Sequence, residues 1–239
     1  MERVINLIIF LFLFIKSYAQ NNPEQWFDTQ YTDAIEYCTS NKILIDSLLS
    51  KCFLPTQMAL SVAFPEMLRY TLWRDIFETK ALELIYVRNG KSAADFSIGW
   101  LQMKPSFAEL VEQKVKNNTL LNDKYSKLTD YNCSNTDIYK IREQRVERLK
   151  IFEWQLLYLS AFIDVNYKVL RKQNVKNRQM IVYLAAAYNR GMENDVELLS
   201  DFNKSKTFPY GTNRENPFGY AEVSEYFYYN NAIALFSDL

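Results

Sequence analysis

What most constrains this chain is how rarely it is interrupted. Only five glycines and six prolines punctuate 239 residues, and between them apolar side chains recur every three or four positions. Strands joined by tight turns need Gly or Pro signals roughly every ten residues. That supply is missing, and no alternating apolar–polar pattern of any length appears. The expectation is an all-α chain with at most a tiny hairpin near residues 90–98.

Helical spacing runs from Thr32 to Leu49 through Ile35, Ile43, Ile45, Leu48 and Leu49. A short apolar helix follows from Thr56 to Phe64, with Pro65 expected to interrupt or kink it. The pattern resumes through Leu68, Leu72, Ile76, Leu82 and Tyr86 until Asn89-Gly90 stops it. Pro105 suits the first turn of the next helix. Asn117 to Asp137 is polar and reads as a loop with at most one short helical turn. Ile138 to Leu170 is the longest helical pattern, charged in its first half and apolar in its second. Arg178 to Asn189 reads as a helix ended by Gly191, and Ser200 to Pro217 as a turn-rich loop. Tyr220 to Phe236 reads as an aromatic-rich closing helix.

The N-terminus has the form of an export signal. Arg3 gives a basic start, Leu7 to Ile15 is apolar throughout, and Ser17-Tyr18-Ala19 supplies small residues at a cleavage site. This run is too short for a membrane span. Residues 1–19 are therefore expected to be a cleaved secretory signal, leaving a periplasmic or secreted chain with no membrane span. Residues 20–55 would form a helical segment packed on a core domain over 56–239, a length that supports one hydrophobic core.

Lys and Arg together number 28, as do Asp and Glu. This balance lacks the basic surplus of a nucleic-acid footprint. The chain has no histidine, which removes Ser-His and Cys-His nucleophiles and the commonest transition-metal ligand. No metal or cofactor is expected, and catalysis would fall to carboxylates, Tyr, Lys or Cys. Cys38, Cys52 and Cys133 allow one disulfide in an oxidising compartment. One continuous helix would hold Cys38 and Cys52 about 21 Å apart, beyond the reach of a bridge. They pair only if the chain bends between them, and Cys133 is an equal candidate.

Three segments carry chemistry-bearing residue types. In "SIGWLQMKP", Gly99 permits a positive φ or a close approach, and Gln102 offers donors and an acceptor suited to sugar hydroxyls or acetamido groups. In "AAAYNRG", Tyr188 and Asn189 arrive at a helix end just before Gly191. In "ALSVAFPEMLRY", Glu66 stands beside Phe64, Met67 and Leu68. Apolar neighbours of that kind raise a carboxyl pKa and suit a general acid. Glu78, in "DIFETKALEL", is the competing acid.

Taken in this order, the segments resemble the soluble lytic transglycosylases of the lysozyme-like superfamily. In that family a Glu closes the first core helix, a Gly-Leu-Met-Gln turn follows, and an Ala-Tyr-Asn-x-Gly helix end comes later. Here Gly99-Trp100-Leu101-Gln102-Met103 matches the turn, and Ala187-Tyr188-Asn189 with Gly191 matches the helix end. The closing "FGYAEVSEYFYY" is a weaker match to the family's terminal helix. The family's Glu is usually followed by Ser and lies closer to the turn. Glu66 precedes Gly99 by 33 residues, whereas Glu78 precedes it by 21 and is followed by Thr79. The apolar setting favours Glu66 and the spacing favours Glu78. Glu66 is taken as the acid, with Glu78 as the alternative.

The resemblance implies a lysozyme-like fold and cleavage of the β-1,4 bond between N-acetylmuramic acid and N-acetylglucosamine in peptidoglycan glycan strands. The Glu would act as acid and then base, and the product would be a 1,6-anhydro sugar. Gln102 and Asn189 would hold acetamido or hydroxyl groups. Tyr188 would line the floor and orient the Glu, and Ser97 and Met103 would shape the cleft. Trp73, Trp100 and C-terminal tyrosines would stack on sugars. A lysozyme-type hydrolase using Asp95 or Asp75, and an inactive wall-binding or assembly protein, remain open alternatives. A secretion or conjugation machine is one setting the resemblance admits.

Overall fold

The computed structural model describes residues 22–73, 79–192, 195–212 and 214–237. Residues 1–19, expected as a signal, lie outside these, as do the alternative acid Glu78 and Asp75. None of the described helices is long and apolar enough to cross a membrane.

The fold is all-α. Among the described residues extended pairing is limited to two isolated bridges, Ile98 with Met103 and Phe208 with Phe218. The N-terminal segment forms α1 (Pro23–Phe27), α2 (Thr29–Ser40) and α3 (Lys42–Leu49). The single helix expected from Thr32 to Leu49 is divided at Asn41. There the side-chain amide and the backbone N–H both donate to the Tyr37 carbonyl, so a local bond competes with helix continuation.

Next come α4 (Thr56–Trp73) and α5 (Thr79–Asn89). Pro65 was expected to interrupt or kink the helix, and α4 continues through it from Thr56 to Trp73. Ala59 to Leu68 are buried at nearly every position, and this packing offsets the roughly 3 kcal/mol a proline costs inside a helix. Gly90 then ends α5 at φ +83°.

Helices α6 (Pro105–Lys116) and α7 (Thr119–Thr129) follow. The second corrects the loop expected from Asn117 to Asp137. Asn118 caps it by accepting from the Leu121 N–H, and Leu121, Tyr125 and Leu128 bury one face. The polar residues that suggested a loop are the outer face of an amphipathic helix.

The long pattern from Ile138 to Leu170 is also two helices, α8 (Ile138–Lys150) and α9 (Phe152–Lys172), separated by Ile151 in an extended conformation. Helix α9 occupies the centre and packs on α3, α4, α6, α7, α8 and α10 (Met180–Asn189). A 3₁₀ turn at Asn177–Gln179 leads into α10. Val196–Asn203 is helical (α11), which shortens the loop expected from Ser200. The closing segment is α12 (Tyr220–Phe227), a π turn at Tyr228–Ala232 and α13 (Ile233–Leu235).

The buried polar groups of α9 tie the layers together. Asp164, fully buried, accepts from the Phe53 N–H at 2.7 Å and from the Tyr125 hydroxyl at 2.7 Å, and pairs with Lys124 at 2.5 Å. Tyr158 donates to Glu112 of α6 at 2.6 Å. Glu112 also accepts from Tyr131 and forms a two-point ion pair with Arg145 of α8. Removing any one partner would strand a buried charge or donor.

The three cysteines are unbridged. Cys38 is fully buried, with its thiol 3.7 Å from the Met67 sulfur. Burial pushes the Cys52 thiol up to about 11.

Candidate active site

The site begins with a turn whose backbone is held from below. Ile98 and Met103 exchange backbone hydrogen bonds of 3.0 and 3.1 Å, closing a loop over residues 99–102. Gly99 adopts φ +65°, and a Cβ there would stand 2.1 Å from the Gln155 amide nitrogen. Only glycine meets both conditions. Gln155, fully buried on α9, donates to the Ile98 and Leu149 carbonyls at 2.7 Å each and accepts from the Leu101 N–H at 3.0 Å.

Gln102 sits at φ +46°, and one of its side-chain N–H groups donates to the Gly99 carbonyl at 2.8 Å. Part of its amide is therefore engaged inside its own turn, and the remainder faces the cleft. Trp100 does not line that cleft. Its ring stacks on Tyr37 at 3.7 Å and lies against Tyr70 at 4.6 Å. The expectation that Trp100 stacks on a sugar is thus corrected: it anchors the turn to α2 and α4. The Trp73 side chain lies outside the described residues.

The second wall is the C-terminus of α10. Gly191 and Met192 both take positive φ, and the Met192 N–H returns to the Ala187 carbonyl at 2.8 Å, a Schellman-type ending. This ending turns Asn189 toward the cleft while Tyr188 stays buried beneath it. The Tyr188 hydroxyl donates to the Leu101 carbonyl at 2.8 Å, so Tyr188 orients the turn rather than the Glu. Burial, and next the Glu66 charge, push its phenol well above the usual range.

The third wall is α4. Glu66 is 5% exposed and lies within an otherwise apolar stretch, but its surroundings are not purely apolar. Arg69, one turn along, places Nη1 2.8 and 3.0 Å from the two carboxylate oxygens. Arg69 Nε donates to the Pro209 carbonyl at 3.2 Å, and its guanidinium lies 5.0 Å from the Phe208 ring centre. The Tyr220 hydroxyl is buried close to the Glu66 carboxylate. Burial and then the nearby Glu66 carboxylate drive that phenol well above its usual value.

These walls enclose one cleft of about 630 Å³, bordered by Glu66, Ser97, Gln102, Met103, Tyr188 and Asn189. Glu66 and the five expected substrate contacts thus border one cleft, while the alternative acid Glu78 lies outside the described residues. Asp95 also borders the cleft, but its two oxygens accept from the Ser106 N–H at 3.0 Å and the Ser106 hydroxyl at 2.7 Å. It caps the N-terminus of α6.

Comparison with protein-family models, curated proteins and solved structures finds no match to this chain.

Arg69, Gln155 and Tyr220 escaped the sequence reading. Arg69 carried a usable signal, the three-residue spacing from Glu66 that pairs charges on a helix. Gln155 carried another, a lone amide in the apolar run "WQLLYLSAF". Tyr220 carried only a weak one, its place in the closing "FGYAEVSEYFYY" segment, where it is one aromatic among many.

Proposed function

We propose that this chain is a peptidoglycan lytic transglycosylase in which Glu66 serves as both acid and base. The observation that carries this reading is a single nearly buried carboxylate in the wall of a cleft, with a glycine turn bearing an amide and a Tyr-Asn helix end forming the other walls. The cleft volume of about 630 Å³ falls in the range that encloses small organic ligands. The resemblance of the three segments to the transglycosylase family supports the choice of substrate.

Protonated Glu66 gives its proton to the glycosidic oxygen as the bond to C1 breaks. The resulting carboxylate takes the proton from the 6-hydroxyl of the same sugar as that oxygen bonds to C1. Glu66 is thereby reprotonated, no water is consumed, and the product is a 1,6-anhydro sugar. Because the nucleophile belongs to the substrate, the second carboxylate of ordinary glycosidases is not needed. The engagement of Asp95 with Ser106 accords with this, since a water-activating base needs a free oxygen aimed at the cleft. Asn189 and the free part of the Gln102 amide supply hydrogen bonds to acetamido or hydroxyl groups.

Purified sacculi digested with wild type, Glu66→Gln and Glu78→Gln, with products read by mass spectrometry, test the proposal. The expected outcome is muropeptides lighter than hydrolysis products by one water, with loss of activity in Glu66→Gln alone. Hydrated products would identify a hydrolase. Release that is insensitive to Glu66→Gln would remove Glu66 as the acid. Binding without release by wild type would leave a wall-binding protein.

A further inference from the structure

The charge of the cleft exceeds what the proposed chemistry requires. Four cations border it, Arg69, Lys91, Lys104 and Arg190, in a chain whose charges otherwise balance. Two have carboxylate partners within the protein: Arg69 pairs with Glu66, and Lys91 with Glu109 at 3.1 Å. Lys104 and Arg190 form no salt bridge among the described residues. The nearby Asp95 carboxylate is directed at Ser106.

Both unpaired cations are mounted on fixed backbone. Lys104 precedes Pro105, which restricts it to the extended conformation it shows, φ −88° and ψ 148°. It therefore projects at the junction of the amide-bearing turn and α6. Arg190 follows Asn189 at the end of α10, and its guanidinium lies 5.3 Å from the centre of the Phe202 ring, which also borders the cleft. These two side chains stand beside the two groups assigned to sugar contacts, Gln102 and Asn189.

We infer that Lys104 and Arg190 form an anion subsite that receives a carboxylate pendant on the glycan. The inference rests on the glycan-cleaving reading and extends it to a charged substrate. A wall glycan offers two alternative sources of such a group: the lactyl carboxylate of a muramic sugar that carries no peptide, or the carboxylates of a peptide, whose amide bond to the lactyl group neutralises it. Paired cations of this kind add selectivity and association rate more than affinity, and salt screens them.

The test uses full-length Glu66→Gln protein and three soluble ligands, with affinities measured by calorimetry at low and high salt. The ligands are peptide-bearing glycan strands, strands stripped of peptide but keeping the lactyl carboxylate, and a chitooligosaccharide with no carboxylate. The expected result is a salt-sensitive preference for ligands with a carboxylate. Adding Lys104→Ala and Arg190→Ala should weaken that binding by about fivefold or more together, with an unchanged melting temperature and the loss confined to carboxylate-bearing ligands. Loss on stripped strands alone assigns the lactyl carboxylate, loss on peptide-bearing strands alone assigns the peptide carboxylates, and loss on both shows that the subsite accepts either. Equal loss on all three ligands, or no loss, overturns the anion subsite while leaving glycan binding intact. Failure of the Glu66→Gln parent to bind any of the three overturns the glycan-cleaving reading, and the subsite with it.

Discussion

Arg69 holds both carboxylate oxygens of Glu66 through a single guanidinium nitrogen, at 2.8 and 3.0 Å, one helical turn away on α4. Arg69 is itself fixed by the Pro209 carbonyl and the Phe208 ring. The loop preceding α12 thereby sets the direction of the proposed acid.

Arg69→Met should therefore lower kcat by about tenfold to a hundredfold with little change in KM, because it frees the Glu66 rotamer without removing a sugar contact. Arg69→Lys should recover part of kcat, since it restores the charge but not the planar fork. Steady-state kinetics on solubilised glycan strands give the split. A rise in KM at constant kcat would instead make Arg69 a substrate contact.

Gly99→Ala should destabilise the fold by about 3 kcal/mol, from the cost of positive φ and a disturbed Gln155 clamp. Its Cβ would overlap the Gln155 amide, and that amide cannot move without abandoning the Ile98, Leu149 and Leu101 backbone groups. Urea unfolding measures the loss. A cost under about 1 kcal/mol would mean that the turn relaxes without the clamp.

Tyr188→Phe keeps the ring contacts with Phe107 and Phe162 and removes only the bond to the Leu101 carbonyl. The expected cost is about 1 kcal/mol of stability, together with weaker glycan binding from a loosened turn. Lower kcat at unchanged KM would instead point to a direct action of the hydroxyl on Glu66.

Stability should fall steeply in alkali. Burial raises the phenols of Tyr86, Tyr125, Tyr158 and Tyr188 in the folded chain, whereas unfolded tyrosine ionises near pH 10. A raised folded pKa gives stability that is complete below the unfolded value and is lost progressively as pH rises from there toward the folded value, because the unfolded chain releases protons the folded chain keeps. Tyrosinate absorbance for the buried set should therefore appear together with loss of helical circular dichroism, above about pH 10. Gradual ionisation of all tyrosines before unfolding would contradict this.

Arg145→Met should cost about 3–5 kcal/mol by leaving Glu112 buried and uncompensated. The Tyr131 and Tyr158 hydroxyls remain as its only side-chain donors among the described residues. Thermal denaturation is the measurement. A loss below about 1 kcal/mol would show that the two hydroxyls suffice.

Much of this protein was legible before its fold was known. Helical class follows from spacing repeated every three or four residues, which any stretch declares by itself. Glu66, the Gly99–Met103 turn and the Tyr188-Asn189 helix end were readable because their residue types conflict with their neighbours: a charge or an amide among apolar groups, and a glycine in a chain that has few. Local pattern also misled. It made a loop of α7 because the exposed face of that helix is polar, and it joined α8 to α9 across Ile151.

Tertiary structure decided which partner each of these residues met. Leu101 is bonded by Gln155, 54 residues on, and by Tyr188, 87 residues on, while Arg69 reaches Pro209 across 140 residues. No window of sequence spans such distances. The physical reason is that a buried polar group must be satisfied by whichever donor or acceptor packing brings to it. The chain therefore named its polar side chains, and the packing of α4, α9, α10 and α12 assigned them their work.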